Sequence, residues 1–177
     1  IVQFTTWKLP SGATETIQIV GFDLDSGLGG PSNFVAGDPT LLRGEDTILI
    51  DRLYMEKLGV THLGQTVEIF GRRARVVGLT EGIRSFTTSP YVFTSFKNSL
   101  NYAQVGPGET LFLLIKAKPG AELEAVKEEL KQSLGSVDVF TNDEMRRKTQ
   151  YYWLFSTGAG ITTLMGAALG LLVGMVV

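Results

Sequence analysis

The chain has 177 residues, a formal net charge of −2, one His and no Cys. That length allows one domain or two small ones, and the charge gives no electrostatic case for nucleic acid. Without Cys there is no disulfide framework, thiolate metal site or Cys nucleophile, and the lone His62 leaves no His cluster for a metal. Residues 1–9 and 15–22 are β-rich and flank Pro10-Ser11-Gly12-Ala13-Thr14, which predicts a hairpin. Residues 23–46 read as a long glycine-rich loop with Leu28, Phe34 and Leu41-Leu42 as scattered anchors; such a loop is usually functional or covers something. Ile48-Leu49-Ile50 is a short strand, Asp51 a cap for a helix through Leu58, and Gly59 its stop. Val67 and Ile69, then Ala74 and Val76, alternate about Gly71-Arg72 as a second hairpin. Tyr91–Thr94 reads as a strand, and Ser95 as the cap of a short helix.

The pattern changes after Gly106-Pro107-Gly108. Leu111–Ile115 is a continuous apolar run, as expected of a strand buried on both faces. Residues 121–134 form an amphipathic helix with Leu123, Val126, Leu130 and Leu134 on one face, ended by Gly135. Val137, Val139 and Phe140 read as the next strand, giving a right-handed β-α-β unit with parallel strands. Asn142 is the expected cap of a helix that runs without a break into the C-terminal tail.

Residues 149–177 carry no charge at all. From Trp153 to the end a helix is about 37 Å long, enough for a hydrocarbon core of about 30 Å. A buried core helix is the plain alternative, but soluble cores seldom need so long an uncharged run. Tyr151, Tyr152 and Trp153 stand at the charged end, where amphipathic rings favour the headgroup zone. Gly166, Gly170 and Gly174 repeat every fourth residue, a small-residue face that lets membrane helices pack closely; the alternative is simple tolerance of Gly in lipid. The start at Ile1 and the stop at Val177 read as the ends of a piece of a longer membrane protein. A signal peptide does not fit, because the apolar run is C-terminal.

Catalytic signals are missing. No phosphate-binding loop motif occurs, and Gly27-Leu28-Gly29-Gly30 lacks the dinucleotide spacing. His62 reads as a surface or turn-stabilising residue, and Glu128-Glu129 as a solvated helix face rather than an acid–base pair. Arg72, Arg73 and Arg75 cluster at a hairpin. They fit either a charged edge that discourages strand pairing or a contact with a partner or lipid headgroups. Arg146-Arg147-Lys148 lies close to the tail, but a large preceding domain weakens the positive-inside rule, so charge leaves orientation open.

Three stretches carry a further signal: Thr47–Asp51 with Leu58-Gly59-Val60, Leu63–Ile69 and Arg75–Gly78; Phe112–Ala121; and Val137–Thr141 leading to Tyr152–Gly160. Together they resemble the extracytoplasmic domain of MacB/FtsX-type ABC-transporter permeases, DevC-like exporters in particular. The resemblance implies an α+β fold. A β-α-β-containing periplasmic core domain would span 1–148, with a mostly β insertion at 30–105 and the β-α-β part at 110–141. A transmembrane helix would follow at 149–177. It implies no catalysis, cofactor or metal here, ATP being hydrolysed on a separate ABC ATP-binding subunit. The other implied partners are a second permease copy in a homodimer, a membrane-fusion adaptor and membrane lipid, not nucleic acid. The implied place is the bacterial inner membrane, with the soluble domain on the periplasmic side. The implied role is mechanical: coupling cytoplasmic ATP hydrolysis to a domain that engages adaptor or substrate. The alternative is a membrane-anchored FtsX-like module that regulates cell-wall hydrolases.

Overall fold

The computed structural model describes residues 1–84, 89–103, 105–106 and 109–176. The break read at Pro107-Gly108 and the final Val177 of the tail lie outside the described residues. The chain divides into two compact units, Ile1–Leu114 and Ile115–Val177.

In the first unit, β1 (Val2–Lys8) and β2 (Thr14–Phe22) form the expected antiparallel hairpin, in register from Val2↔Val20 to Lys8↔Thr14. Side chains alternate across a strand, and the inward set here includes Trp7, Ile17 and Ile19, all fully buried. The other strands are β3 (Phe34–Gly37), β4 (Thr47–Asp51), β5 (Thr66–Ile69), β6 (Arg72–Thr80) and β7 (Tyr91–Ser95). The sheet order is β3-β6-β4-β7-β2-β1-β5, and β5 also pairs with β6. Six strands therefore close into a ring, a small mixed barrel, and β3 hangs outside on β6. Closure leaves the ring without free edges and seals an interior that includes Trp7, Ile48, Ile50, Ile69, Val76 and Val92. β4 is buried at every position, lying parallel to β6 on one side and antiparallel to β7 on the other. The β5–β6 turn puts both Phe70 (φ 50°) and Gly71 (φ 72°) in the left-handed region, the geometry that matches the twist of a two-residue hairpin.

The loop read over 23–46 is partly ordered: it contains β3 and a 3₁₀ turn, Pro39–Arg43, that buries Leu42. Four residues ending in a glycine give too little alternation to announce a strand; the pairing with β6 makes it one. Asp51 does cap the next segment, accepting from Leu53 N–H at 3.0 Å. That segment is a 3₁₀ turn, Arg52–Tyr54, continued as α1 (Met55–Leu58) and stopped by Gly59 at φ 66°. Ser95 caps α2 (Phe96–Tyr102), its hydroxyl accepting from Asn98 N–H at 3.1 Å.

The β-α-β reading does not hold. Its helix is present as α3 (Leu123–Leu134), ended by Gly135. Neither Leu111–Ile115 nor Val137–Phe140 is a strand, and Leu113 and Phe140 are 68% and 40% exposed. A doubly buried strand needs neighbours to pair its backbone and cover both faces; neither run has a partner strand among the described residues.

The helix after α3 is α4 (Asn142–Tyr151), and its cap is Thr141 rather than Asn142. Thr141 Oγ1 accepts from Glu144 N–H while the Glu144 carboxylate accepts from Thr141 N–H at 2.9 Å. This capping box is carried by the spacing Thr-x-x-Glu. The expected continuous helix is also broken. A π-helical turn, Tyr152–Ser156, follows α4, Thr157 is extended (φ −103°, ψ 148°), and α5 (Gly158–Val176) resumes. The two arms are bent by 66°. Among the described residues no single helix is long and apolar enough to cross a membrane; the bent pair passes together, by length and composition.

Candidate membrane-facing and partner-facing sites

Three surfaces singled out by sequence are well separated in the chain. Among the described residues no group of three or more His, Asp or Glu side chains could hold a metal. His62 is exposed, with Nδ1 2.9 Å from the Thr61 hydroxyl, inside a connection tied by Gln65 to Thr61 N–H and Gly59 C=O. It is a turn residue, and among the described residues no acidic side chain pairs with it.

Arg72, Arg73 and Arg75 stand at the start of β6, all exposed, while Ala74 and Val76 between and beyond them are buried. Arg73 lies opposite Glu68 on β5, and Glu68 is taken by Lys8 on β1 at 3.2 Å. None of the three guanidinium groups is ion-paired among the described residues. The backbone beneath them is fixed by the Tyr102 hydroxyl, which donates to Arg73 C=O (3.2 Å) or to Asp46 Oδ1 (3.1 Å). Burial, then the nearby Asp46 carboxylate, pushes that hydroxyl's pKa up, so it remains a donor. Beside the hairpin lies a cavity of about 460 Å³ lined by Trp7, Lys8, Leu58, Gln65, Glu68 and Arg73 among others.

Tyr151, Tyr152 and Trp153 fall at the end of α4 and in the π turn, together with Phe155. The rings pack on one another, Tyr151 with Phe155 at 5.0 Å and Tyr152 edge-on to Trp153 at 5.9 Å, yet stay exposed. Lys148 lies over the Phe140 ring at 4.2 Å and Arg146 pairs with Asp143 at 3.1 Å. Thr157 builds the bend that follows. Its hydroxyl donates to Trp153 C=O at 2.6 Å and accepts from Gly160 N–H at 3.2 Å. One side chain thus caps the end of one helix and the start of the next. Trp153 C=O comes so close that any Cβ on Gly160 would collide with it. Gly166, Gly170 and Gly174 line α5 with open space where their side chains would be.

Two features escaped the sequence. Asp51 is fully buried; besides capping Leu53 it accepts from the Thr80 hydroxyl (3.1 Å) and Ile83 N–H (2.7 Å). An Asp at the end of an apolar run is legible as a cap, but not as a clamp on a segment 32 residues away. Lys127 and Glu144 pair across a turn that composition alone does not bring together.

The family described as MacB-like periplasmic core domain matches residues 2–133. No curated protein matches the chain. Among solved structures, the periplasmic region of MacB from Actinobacillus actinomycetemcomitans is similar at 16% identity, with a TM-score of 0.58, over 84% of this chain and 72% of that one. The extracellular domain of the ABC-type transporter YknZ from Gram-positive bacteria gives 15% identity and 0.43, over 82% and 65%. A domain of a permease protein from Porphyromonas gingivalis gives 18% and 0.47, over 75% and 68%. The first likeness is one of fold. With three quarters of its length inside the family match, the chain belongs to the family of MacB-like periplasmic core domains.

Proposed function

We propose that the chain is the extracytoplasmic part, with an adjoining membrane segment, of a permease subunit in an ABC-type exporter. The family match over residues 2–133 carries this reading, and the uncharged tail after Lys148 supports it. Residues 1–148 lie outside the inner membrane on the periplasmic side, and 149–177 enter it. ATP is hydrolysed on a separate ATP-binding subunit, a second permease copy completes a homodimer, and a membrane-fusion adaptor engages the outer domain. Tyr151, Tyr152 and Trp153 sit at headgroup level. Gly166, Gly170 and Gly174 give a neighbouring membrane helix a close approach. Arg72, Arg73 and Arg75 serve as a contact for a partner or for headgroup phosphates.

The chain does no bond-making chemistry in this reading; it transmits displacement. Motion of α5 reaches α4 through the Thr157 elbow. The Lys127–Glu144 pair then makes α3 follow α4. The test is Gln150→Pro in the full-length permease. Proline removes the N–H of residue 150 and pushes Thr149 out of helical geometry, at about 3 kcal/mol or more. Export should fall while the assembly's ATPase activity survives. Undiminished export by a stably inserted variant refutes the mechanical reading.

A further inference from the structure

Among the described residues, β3 is the one strand with a neighbour on a single side. Phe34, Ala36 and Gly37 face Thr80, Leu79 and Gly78 of β6, so the opposite edge offers N–H and C=O groups with no strand beside them. Proteins commonly blunt such an edge with a charge. Here Phe34-Val35-Ala36-Gly37 has none, and Phe34 and Val35 are 39% and 45% exposed. The strand is instead short and bulged at Val35, which limits pairing to one short strand rather than open-ended stacking.

Two carboxylates stand near the ends of β3, Asp38 on the chain of the strand itself and Glu81 across from it on the β6 side. Glu81 N–H bonds Asn33 C=O at 3.1 Å, placing Glu81 at the start of β3, and Asp38 N–H bonds Val77 C=O at 3.2 Å, placing Asp38 at its end. Asp38 accepts from the Thr40 hydroxyl and N–H at 2.6 and 2.8 Å. Glu81 has Arg52 at 3.8 Å, both side chains more than half exposed, a pairing too screened to neutralise it. From Asn33 to Asp38 an extended chain covers roughly 17 Å.

We propose that the free edge of β3 docks an extended segment of a partner protein, apolar at its centre and carrying Lys or Arg about five residues apart. The segment adds a strand by main-chain hydrogen bonds; one of its cations meets Asp38 and the other reaches across β3 to Glu81 on the β6 side. This names the chemistry of a partner and rests on the exporter reading only for there being a partner outside the membrane.

The experiment involves neither transport nor ATP, so its failure leaves the exporter reading standing. The whole chain in lipid nanodiscs is titrated with a fluorescein-labelled peptide, Lys-Thr-Val-Thr-Val-Lys, and with its Glu-ended counterpart. Anisotropy reports binding and amide hydrogen exchange reports its place. The Lys peptide should bind saturably and slow exchange over residues 34–37, and the Glu peptide should do neither. The double variant Asp38→Asn with Glu81→Gln, which retains a capping side chain at 38, should bind about tenfold more weakly. Val35→Lys, which sets a charge on the edge itself, should abolish binding. No saturable binding, binding without slowed exchange in β3, or equal binding by the double variant overturns the proposal. So does protection of β3 that rises with protein concentration alone, the mark of a second copy, or with anionic lipid alone.

Discussion

Lys127 Nζ lies 2.5 Å from Glu144 Oε1, so a single ion pair ties α3 to α4. Glu144 also completes the capping box at Thr141, which puts one carboxylate in both the helix start and the helix–helix tie.

The hydrogen bond from Lys127, then that from Thr141 N–H, holds the Glu144 carboxyl at about 2 against an ordinary 4.5. A depressed carboxylate adds stability that is full above its unfolded value and is lost as pH falls through its folded one. The α3–α4 tie should therefore loosen between pH 4.5 and about 2. Lys127, raised chiefly by the same bond, moves the alkaline loss above its ordinary 10.5. Hydrogen exchange over 123–151 as pH is lowered checks this. In Glu144→Gln the capping bonds persist while the acid-dependent rise should flatten.

Trp7 is fully buried and its indole N–H donates to Leu58 C=O at 3.0 Å. Trp7→Ala should cost about 3–5 kcal/mol. Trp7→Phe, which leaves that carbonyl unpaired in a smaller void, should cost about 2–3 kcal/mol. Urea unfolding of the chain in micelles measures both.

Asp51→Ala strips the acceptor from three donors, Leu53 N–H, the Thr80 hydroxyl and Ile83 N–H. Bonds to a charged group contribute about 1.5–3 kcal/mol each, so this variant should be among the most destabilised in the first unit, with Asp51→Asn milder. Proteolysis and hydrogen exchange should locate the first opening at residues 51–54 and 80–83.

The elbow can be measured as a distance. The chain has no Cys, so spin labels at Arg146→Cys and Ala168→Cys stand alone. A straight helix separates those positions by about 33 Å; the bend should shorten that. Thr157→Val, which loses both capping bonds, and Gly160→Ala, which meets Trp153 C=O, should each lengthen it. An unchanged distance in both variants counts against the Thr157 account.

The legible part of the molecule was the part decided locally. Both hairpins, β4, β7, Ser95, Gly59 and Gly135 announce themselves by alternation or by a cap residue. What stayed hidden depends on partners distant in sequence. β3 exists because Gly78–Thr80 offers it a ladder. Leu111–Ile115 has the composition of a buried strand, and composition does not supply a neighbour. The break at Thr157 lies among residues that could all continue a helix. It becomes visible only when one hydroxyl satisfies Trp153 C=O and Gly160 N–H together. Of the surface residues, the exposed arginines and aromatics were readable as types, whereas the open edge of β3 required the sheet order.

The ring of strands is unevenly stitched. β2 holds β1 over seven register pairs and β7 over five. β6 similarly binds β4, β5 and β3 over five, four and three. Between these two groups, among the described residues, run only two short seams, Leu49↔Phe93 with Ile50↔Val92, and Trp7↔Ile69 with Lys8↔Glu68. The barrel is thus two half-shells, each built on a nine-residue spine, pressed together by the shared apolar filling more than by their backbones. A load on one half-shell is carried within it almost rigidly and yields, if anywhere, along a seam.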